Sequence, residues 1–522
     1  MAFGAVQPCI EQIRIVESND GPIEPAASLN RFARAYVSKR VTSASLVSGR
    51  PPAEPLRIRG RMDDRDRGGP RRHTSCLPPR SAAPLVIQMR GRNDLEADLG
   101  DMAGYENVER PLPIADAPSM RPLRVLVVGA GVSGISVARG LLRDGHDVTV
   151  FDQRTDTRAG GGAVTIWSNG ETVLRQLGVD MDGAGQLLSS VQVMTSRGHR
   201  IATLDVAAMV KRLGAPVRMV PRRVLLDRLL AGFATQRIRC GSRATRVAST
   251  SNGVQVEFED GGLVEGDLLI GADGLHSMVR DVVGAHTAEP TGWCSWQGLV
   301  TVPELPDKQV ALIVIGEHGN TGVWPAGGSA VQWWFDLPWS HGFVRPDRPI
   351  EVIRSNFSGW SNSVDMVLAK LTNEDMVGSP YPHFRHPIPQ PLDAGAVTLL
   401  GDAAHTMPPT LAQGTNQALL DTMVLCKVLS DFRTGTNGSS ADLSRALRWY
   451  ESTRRRRVSA VSRVASLQVA HGESVLRPAT LISDRLHTWT LTTFLRWTSH
   501  RRMSAEINRE LGTPTPIAAG HS

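Results

Sequence analysis

The pattern of apolar and polar positions changes near residue 120. From Arg124 the chain reads RVLVVGAGVSGISVARGLLRDGHDVTVFDQR. Val125 to Val128 is a short unbroken apolar run, the mark of a strand buried on both faces. Ile135, Val137, Ala138, Leu141 and Leu142 then recur at helical spacing, Gly145 and His146 break the helix, and Val148 to Phe151 start a second strand closed by Asp152. The pattern predicts a βαβ unit.

Further along, Ala163–Ile166 reads as strand and Gly170–Leu177 as helix. Val191–Asp205 reads as a strand pair turning at Arg197-Gly198, and Val220–Leu230 as a loop entering a helix. Val254–Phe258 alternates after the turn Asn252-Gly253, and Leu268–Ile270 is another buried strand. Gln309–Ile315 and Ala330–Phe335 are strand-like and carry tryptophans between Trp293 and Trp334, which read as core or as the lining of an aromatic pocket. Ile350–Phe357 and Met366–Leu371 look helical, Val397–Leu400 is a buried strand, and Asn416–Leu429 and Ala441–Val469 are helices. Arg454 to Arg457 wrap around the second of these and read as a solvated face. Leu486, Trp489 and Phe494 give the tail helical spacing, for packing on the body or, as a minority reading, peripheral membrane contact.

Residues 1–119 lack this periodicity. Stretches such as Arg59–Ser75 (RGRMDDRDRGGPRRHTS) cannot offset the entropy cost of folding. A disordered extension is expected there, or a misassigned start, since Met120 opens MRPLRVLVVGAG. The pattern of a secretory signal is missing.

The first turn carries the chemistry. Gly129, Gly131 and Gly134 stand at the spacing G-x-G-x-x-G: Gly129 for the tight turn, Gly131 for backbone approach to a pyrophosphate, Gly134 for helix-on-strand packing. The helix N-terminus offers free N–H groups and a positive dipole end to phosphates. Asp152, roughly 20 residues on, is placed to accept from a ribose 2′-OH. The unit indicates a dinucleotide site without separating FAD from NAD.

Composition narrows the rest. The 522 residues are 41% hydrophobic and 21% charged, enough for two or three domains. The charge of +7 is mild and no aromatic-interleaved basic motif points to nucleic acid. Five scattered cysteines without a CxxC pair disfavour a disulfide framework or a zinc site and suit a reducing cytoplasm. No metal is expected.

Three stretches in order resemble the class A FAD-dependent monooxygenases, the para-hydroxybenzoate hydroxylase-like flavoproteins. They are the glycine unit with Asp152; GADGLHSMVR, with Asp273, Gly274, Ser277 and Arg280; and GDAAHTMPPTLAQGTNQALLD, with Asp402, His405, Pro408, Gly414, Asn416 and Asp421. Arg222, Tyr450 and Arg454 are lesser matches. The resemblance implies an α/β fold. A Rossmann-like FAD-binding domain (120–290 and 391–430) would hold an inserted antiparallel-sheet substrate domain (291–390, with strands near 190–220), followed by C-terminal helices (431–510).

It further implies FAD bound by Gly129, Gly131, Gly134, Asp152, Arg222, Asp273, Gly274, Asp402, Gly414, Thr415 and Asn416, with Pro408 and Pro409 beside the flavin. Asp402 would accept from ribityl hydroxyls, and the helix near Asn416 would aim its positive end at the flavin. His405 reads as structural. The implied reaction uses NADPH or NADH and O₂. A C4a-hydroperoxyflavin hydroxylates an aromatic or polyketide-like small molecule, and the cofactor carries the hard chemistry. Epoxidation, Baeyer–Villiger oxidation and O₂-independent reduction of the geranylgeranyl reductase type are the alternatives. A cytoplasmic monomer or homodimer is expected. Two departures from the family stand out: Trp296-Gln297-Gly298 replaces W-R-G, and WWFDLP (Trp333–Pro338) is not the halogenase motif.

Overall fold

A computed structural model describes residues 122–158, 161–250, 253–387, 391–435, 440–469 and 480–512. The extension expected over 1–119 lies outside the described residues, as do Gly160 and Asn252.

A six-stranded sheet runs in the order Asp393–Ala394, Val397–Leu399, Leu268–Gly271, Arg124–Val128, Asp147–Asp152, Ile238–Cys240. All its pairs are parallel except the first. Helices and a three-stranded sheet, Ala244–Thr250, Gly253–Phe258 and Leu263–Gly266, cover it, with Phe258 against Phe151 (ring centroids 4.6 Å apart), so the central strands are apolar without alternation: Val125, Val127, Leu268, Leu269, Ile270, Val397 and Leu399 have no exposed surface. Each such side chain contributes about 1.5–3 kcal/mol by burial. The helix Val132–Arg143 packs closely on the long helix Gly414–Gly435, because a Cβ at Gly140 would fall 2.5 Å from Cys426 Sγ.

A seven-stranded sheet runs in the order Tyr381–Arg385, Glu289–Thr301, Ala330–Pro338, Asn320–Gly327, Val310–Ile315, Ser190–Thr195, Arg200–Asp205. One expectation is corrected here. The sheet is not wholly antiparallel, since Val310–Ile315 and Ser190–Thr195 run parallel. Of the strands near 190–220, Arg218–Pro221 belongs to a separate three-stranded sheet with Ala163–Ile166 and Gln186–Leu187. One face of the large sheet, with Trp296, Val323, Trp333 and Phe335, buries against the helices Pro349–Phe357 and Asn362–Lys370. Strand alternation puts Gln332, Trp334 and Asp336 on the opposite face. Trp296, Trp324 and Trp333 are buried, while Trp293 and Trp334 are half-buried.

The tail helix Asp484–Thr498 docks through Leu491, Leu495 and Phe494 and through a row of threonines beside them. Leu486 and Trp489 are about half exposed (48% and 51%), while Thr488, Thr492 and Thr498 are buried. The reason is the open edge of the large sheet. Among the described residues strand Arg200–Asp205 has no partner strand on its outer side, and its N–H groups at Thr203 and Asp205 donate to Asp484 Oδ1 (2.9 Å) and Thr488 Oγ1 (3.0 Å). The helix satisfies a bare strand edge with polar side chains. No described helix is long and apolar enough to cross a membrane.

Candidate functional site

The glycine turn sits where strands Arg124–Val128 and Leu268–Gly271 end side by side. Gly129 has φ +105°, and a Cβ there would fall 2.3 Å from the Ala272 carbonyl oxygen and 2.9 Å from Asp273 Cα. A Cβ at Gly134 would meet the Gly129 carbonyl oxygen at 1.8 Å. Both positions therefore exclude any side chain. Gly131 is different: the nearest atom to its Cβ position is Arg222 Nη2 at 3.9 Å, so this glycine keeps the turn open beneath a guanidinium. Arg222 begins the helix Arg222–Leu230, its side chain is exposed, and its N–H donates to Gly162 O (3.0 Å).

Asp152 is buried at the end of its strand. Its Oδ2 accepts from Ala130 N (2.7 Å) and Arg154 Nη2 (2.9 Å), and its Oδ1 from Arg154 N (2.8 Å) and Nε (2.9 Å). Burial alone would raise this carboxyl, but these hydrogen bonds outweigh it and hold the group below the usual carboxylate range. All four lone-pair positions are in use, so a ribose hydroxyl reaches Asp152 only by displacing the Arg154 side chain.

Asp273 follows strand Leu268–Gly271, and Gly274 supplies the turn at φ +83°. Asp273 Oδ2 accepts from Met278 N (2.9 Å), whereas its Oδ1 is buried without a hydrogen-bond partner. Burial raises this carboxyl against the hydrogen bonds it receives. Arg280 ties this loop to the next one, donating from Nη1 to Ala403 O (2.7 Å) and Ala404 O (2.9 Å).

Asp402 opens the short helix Asp402–His405 directly beyond strand Val397–Leu399. Its side chain is exposed, and Oδ1 lies 3.9 Å from the Cβ position of Gly414. Gly414, Thr415 and Asn416 form the first turn of the long helix, where N–H groups have no intrahelical acceptor. Pro408 is buried and Pro409 exposed in the intervening loop, which Thr410 ties to Ala465 O (2.8 Å). Ala412 holds a left-handed φ of 48°, a strained value for a residue with a Cβ.

The Asn416 side chain is committed elsewhere. Its Oδ1 accepts from Trp167 N (2.9 Å), and its Nδ2 donates to Thr165 O and Ala412 O (both 2.9 Å). Only its backbone N–H is left to face a ligand.

Two buried clusters were missed by sequence reasoning. Asp421 Oδ1 accepts from Arg454 Nε (2.6 Å), while Oδ2 accepts from Gly401 N (2.9 Å) and bonds His405 Nε2 (2.5 Å). Arg454 is therefore not part of a solvated face: it is fully buried, because the long helix turns that one arginine inward. Its place among the family matches was the available signal. The second cluster joins Ser295, Asp336 and His383 across three strands. Ser295 Oγ donates to Asp336 Oδ1 and lies 2.6 Å from His383 Nε2. No local motif marks it, because strand pairing alone brings these residues together.

The residues present suit FAD. A glycine turn at a helix N-terminus, an arginine above it, an orphaned buried carboxylate oxygen on Asp273 and an unengaged carboxylate on Asp402 lie around the ends of adjacent parallel strands. No group of three or more metal-ligating side chains is found among the described residues.

A family model described as FAD binding domain matches residues 122–465. The FAD-dependent urate hydroxylase of Klebsiella oxytoca is 31% identical over 350 residues, covering 64% of this chain and 87% of the relative. The 3-amino-4-hydroxybenzoate 2-monooxygenase of Streptomyces cremeus is 32% identical over 354 residues, covering 66% and 86%. Among solved structures, Klebsiella pneumoniae HpxO complexed with FAD and uric acid superposes with a TM-score of 0.64 at 26% identity, covering 72% of this chain and 96% of that one. The chain belongs to the class A FAD-dependent monooxygenases.

Proposed function

We propose that this monooxygenase takes electrons from NADPH or NADH and hydroxylates an electron-rich aromatic or heteroaromatic small molecule. The balance is substrate–H + NAD(P)H + H⁺ + O₂ giving substrate–OH + NAD(P)⁺ + H₂O. Bound FAD supplies the redox chemistry, passing electrons to O₂ and one oxygen atom to the substrate. The observation that carries the reading is the Asp402 carboxylate, which accepts no hydrogen bond among the described residues and lies 3.9 Å from the position a Cβ would take at Gly414, in the first turn of the Gly414–Gly435 helix.

In this reading Gly129, Gly131 and Gly134 admit the pyrophosphate, and Arg222 lies over it. Asp152 receives the ribose after Arg154 yields. Asp273, with Gly274 making its turn, offers Oδ1 to a cofactor hydroxyl, and Asp402 accepts from the ribityl chain. The N–H groups of Gly414, Thr415 and Asn416 offset the negative charge that the ring gains on reduction. Pro408 and Pro409 stiffen the loop beside the ring. The sheet face carrying Gln332, Trp334 and Asp336 bounds the substrate and excludes water. The relatives' substrates, urate and an aminohydroxybenzoate, support an electron-rich ring. The division into FAD-binding segments 120–290 and 391–430, a sheet domain 291–390 and C-terminal helices 431–510 belongs to the same proposal.

The test is a visible spectrum of the purified protein, followed by NADPH and NADH oxidation in an oxygen electrode with aromatic candidates. A flavin spectrum with O₂ uptake stimulated by an aromatic compound is expected. Flavin reduction without O₂ uptake would refute oxygenation and indicate a reductase.

A further inference from the structure

A depression of about 90 Å³, open to solvent on one side, lies outside the residues assigned to FAD. The helices Ser168–Gln176, Val206–Leu213, Gly414–Gly435 and Arg501–Glu510 contribute to its walls. Four cationic side chains line it: Arg175, Lys211, Arg212 and Arg501. No Asp or Glu does. None of the four forms an ion pair or a side-chain hydrogen bond among the described residues. Glu171, the acid on which Arg175 acts, is already held by Arg218 at 2.8 Å.

Other cations of this surface do meet acids: Arg200 with Asp484, Arg237 with Asp147, and Lys427 with Asp431, Glu506 and Glu510. Four like charges around one concavity raise the local positive potential, which favours an anion there, most strongly at low salt. The interior is apolar in part, with Leu420 and Met423 buried and contributing to the lining. A cationic rim over an apolar floor suits a ligand with a phosphate group held by the rim and a flat body that lies partly outside the depression.

We propose that this depression is a second binding site, separate from the FAD groove, for a phosphate-bearing small molecule of nucleotide type. The site requires neither a particular substrate nor the oxygenase reaction, so it stands apart from the function proposed above.

The experiment uses the full-length, FAD-loaded protein and isothermal titration calorimetry with ADP, in a low-salt buffer free of phosphate. Pyrophosphate serves as the probe without a flat body. One equivalent of ADP is expected to bind, more tightly than pyrophosphate, with an affinity that falls steeply as salt is added. The double substitution Lys211→Ala/Arg212→Ala should weaken ADP at least tenfold while FAD content stays at the wild-type level. Arg175→Ala/Arg501→Ala should do the same from the other walls. No ADP binding, or ADP binding of equal affinity in both double variants, would overturn the site. Pyrophosphate binding as tightly as ADP would overturn the nucleotide assignment.

Discussion

Arg454 Nε donates to Asp421 Oδ1 at 2.6 Å, and solvent reaches neither side chain. Arg454 also donates from Nη2 to Gln417 Oε1 (2.8 Å), and its Nη1 lies 2.9 Å from His500 Nε2. Asp421 in turn holds Gly401 and His405, so one ion pair fixes the start of the Asp402 loop to two long helices. Burial would raise the Asp421 carboxyl, but the charges and hydrogen bonds of His405 and Arg454 reverse this and hold it below the usual range.

Removing one partner leaves an uncompensated buried charge. Arg454→Met should therefore cost about 3–5 kcal/mol of unfolding free energy, and Asp421→Leu a similar amount. The double variant should recover part of either loss, because neither Arg454 nor Asp421 is then left without the other. Urea titration of all four proteins forms the cycle. Additive losses in the double variant would show that the pair is not coupled.

Asp402→Ala should leave the fold intact, because the wild-type carboxylate is exposed and makes no side-chain bond among the described residues. FAD affinity should fall at least tenfold, or NAD(P)H oxidation should uncouple from product formation. Flavin fluorescence on dilution reads the first and peroxide release the second. Wild-type values for both would remove Asp402 from the site.

How far the sequence revealed this arrangement depends on the range of each interaction. The glycine turn was legible because strand, turn, helix and Asp152 lie within about thirty consecutive residues, where local periodicity and turn chemistry suffice. The motif around Asp402 was legible in the same way. Arg454 was not: charge along a helix says nothing of which face turns inward until the partner, Asp421 on another helix, is placed. Asn416 was assigned to the cofactor, but its side chain clamps Thr165, Trp167 and Ala412, two of which come from far along the chain. The tail helix packs on the body as its spacing predicts at Phe494, while Leu486 and Trp489 stay half exposed because the adjoining strand edge takes polar partners instead.

The Asn416 clamp is a stability prediction. Asn416→Ala strands the Trp167 N–H and two carbonyl oxygens, each a buried group that costs roughly 1–3 kcal/mol when unsatisfied. The variant should unfold at a lower temperature even when FAD has been stripped from both proteins. Thermal scans of the two apoproteins check this. A midpoint lowered only in the FAD-bound state would mean that the side chain acts through the cofactor instead.

The Ser295–Asp336–His383 cluster makes two opposed contributions to pH-dependent stability. Burial pushes Asp336 up to about 7, against the Ser295 hydroxyl that stabilises its charge, and burial pushes His383 down to about 4. An unfolded aspartate titrates near ~3.9 and an unfolded histidine near ~6.5. Between about pH 4 and 6.5 the folded protein holds a proton on Asp336 that the unfolded chain has released, so this group makes stability fall as pH rises. Over the same window the unfolded chain holds a proton on His383 that the folded protein lacks, so stability rises with pH. The two slopes nearly cancel.

Each substitution should unmask the other slope. Relative to wild type, Asp336→Asn should gain stability as pH rises from about 4 to 6.5. His383→Asn should lose it over the same range, each by about 1.4 kcal/mol per pH unit at most. Urea midpoints of the three proteins at several pH values separate the outcomes. Parallel curves for all three would show that the two groups titrate in the folded protein as they do in the unfolded chain.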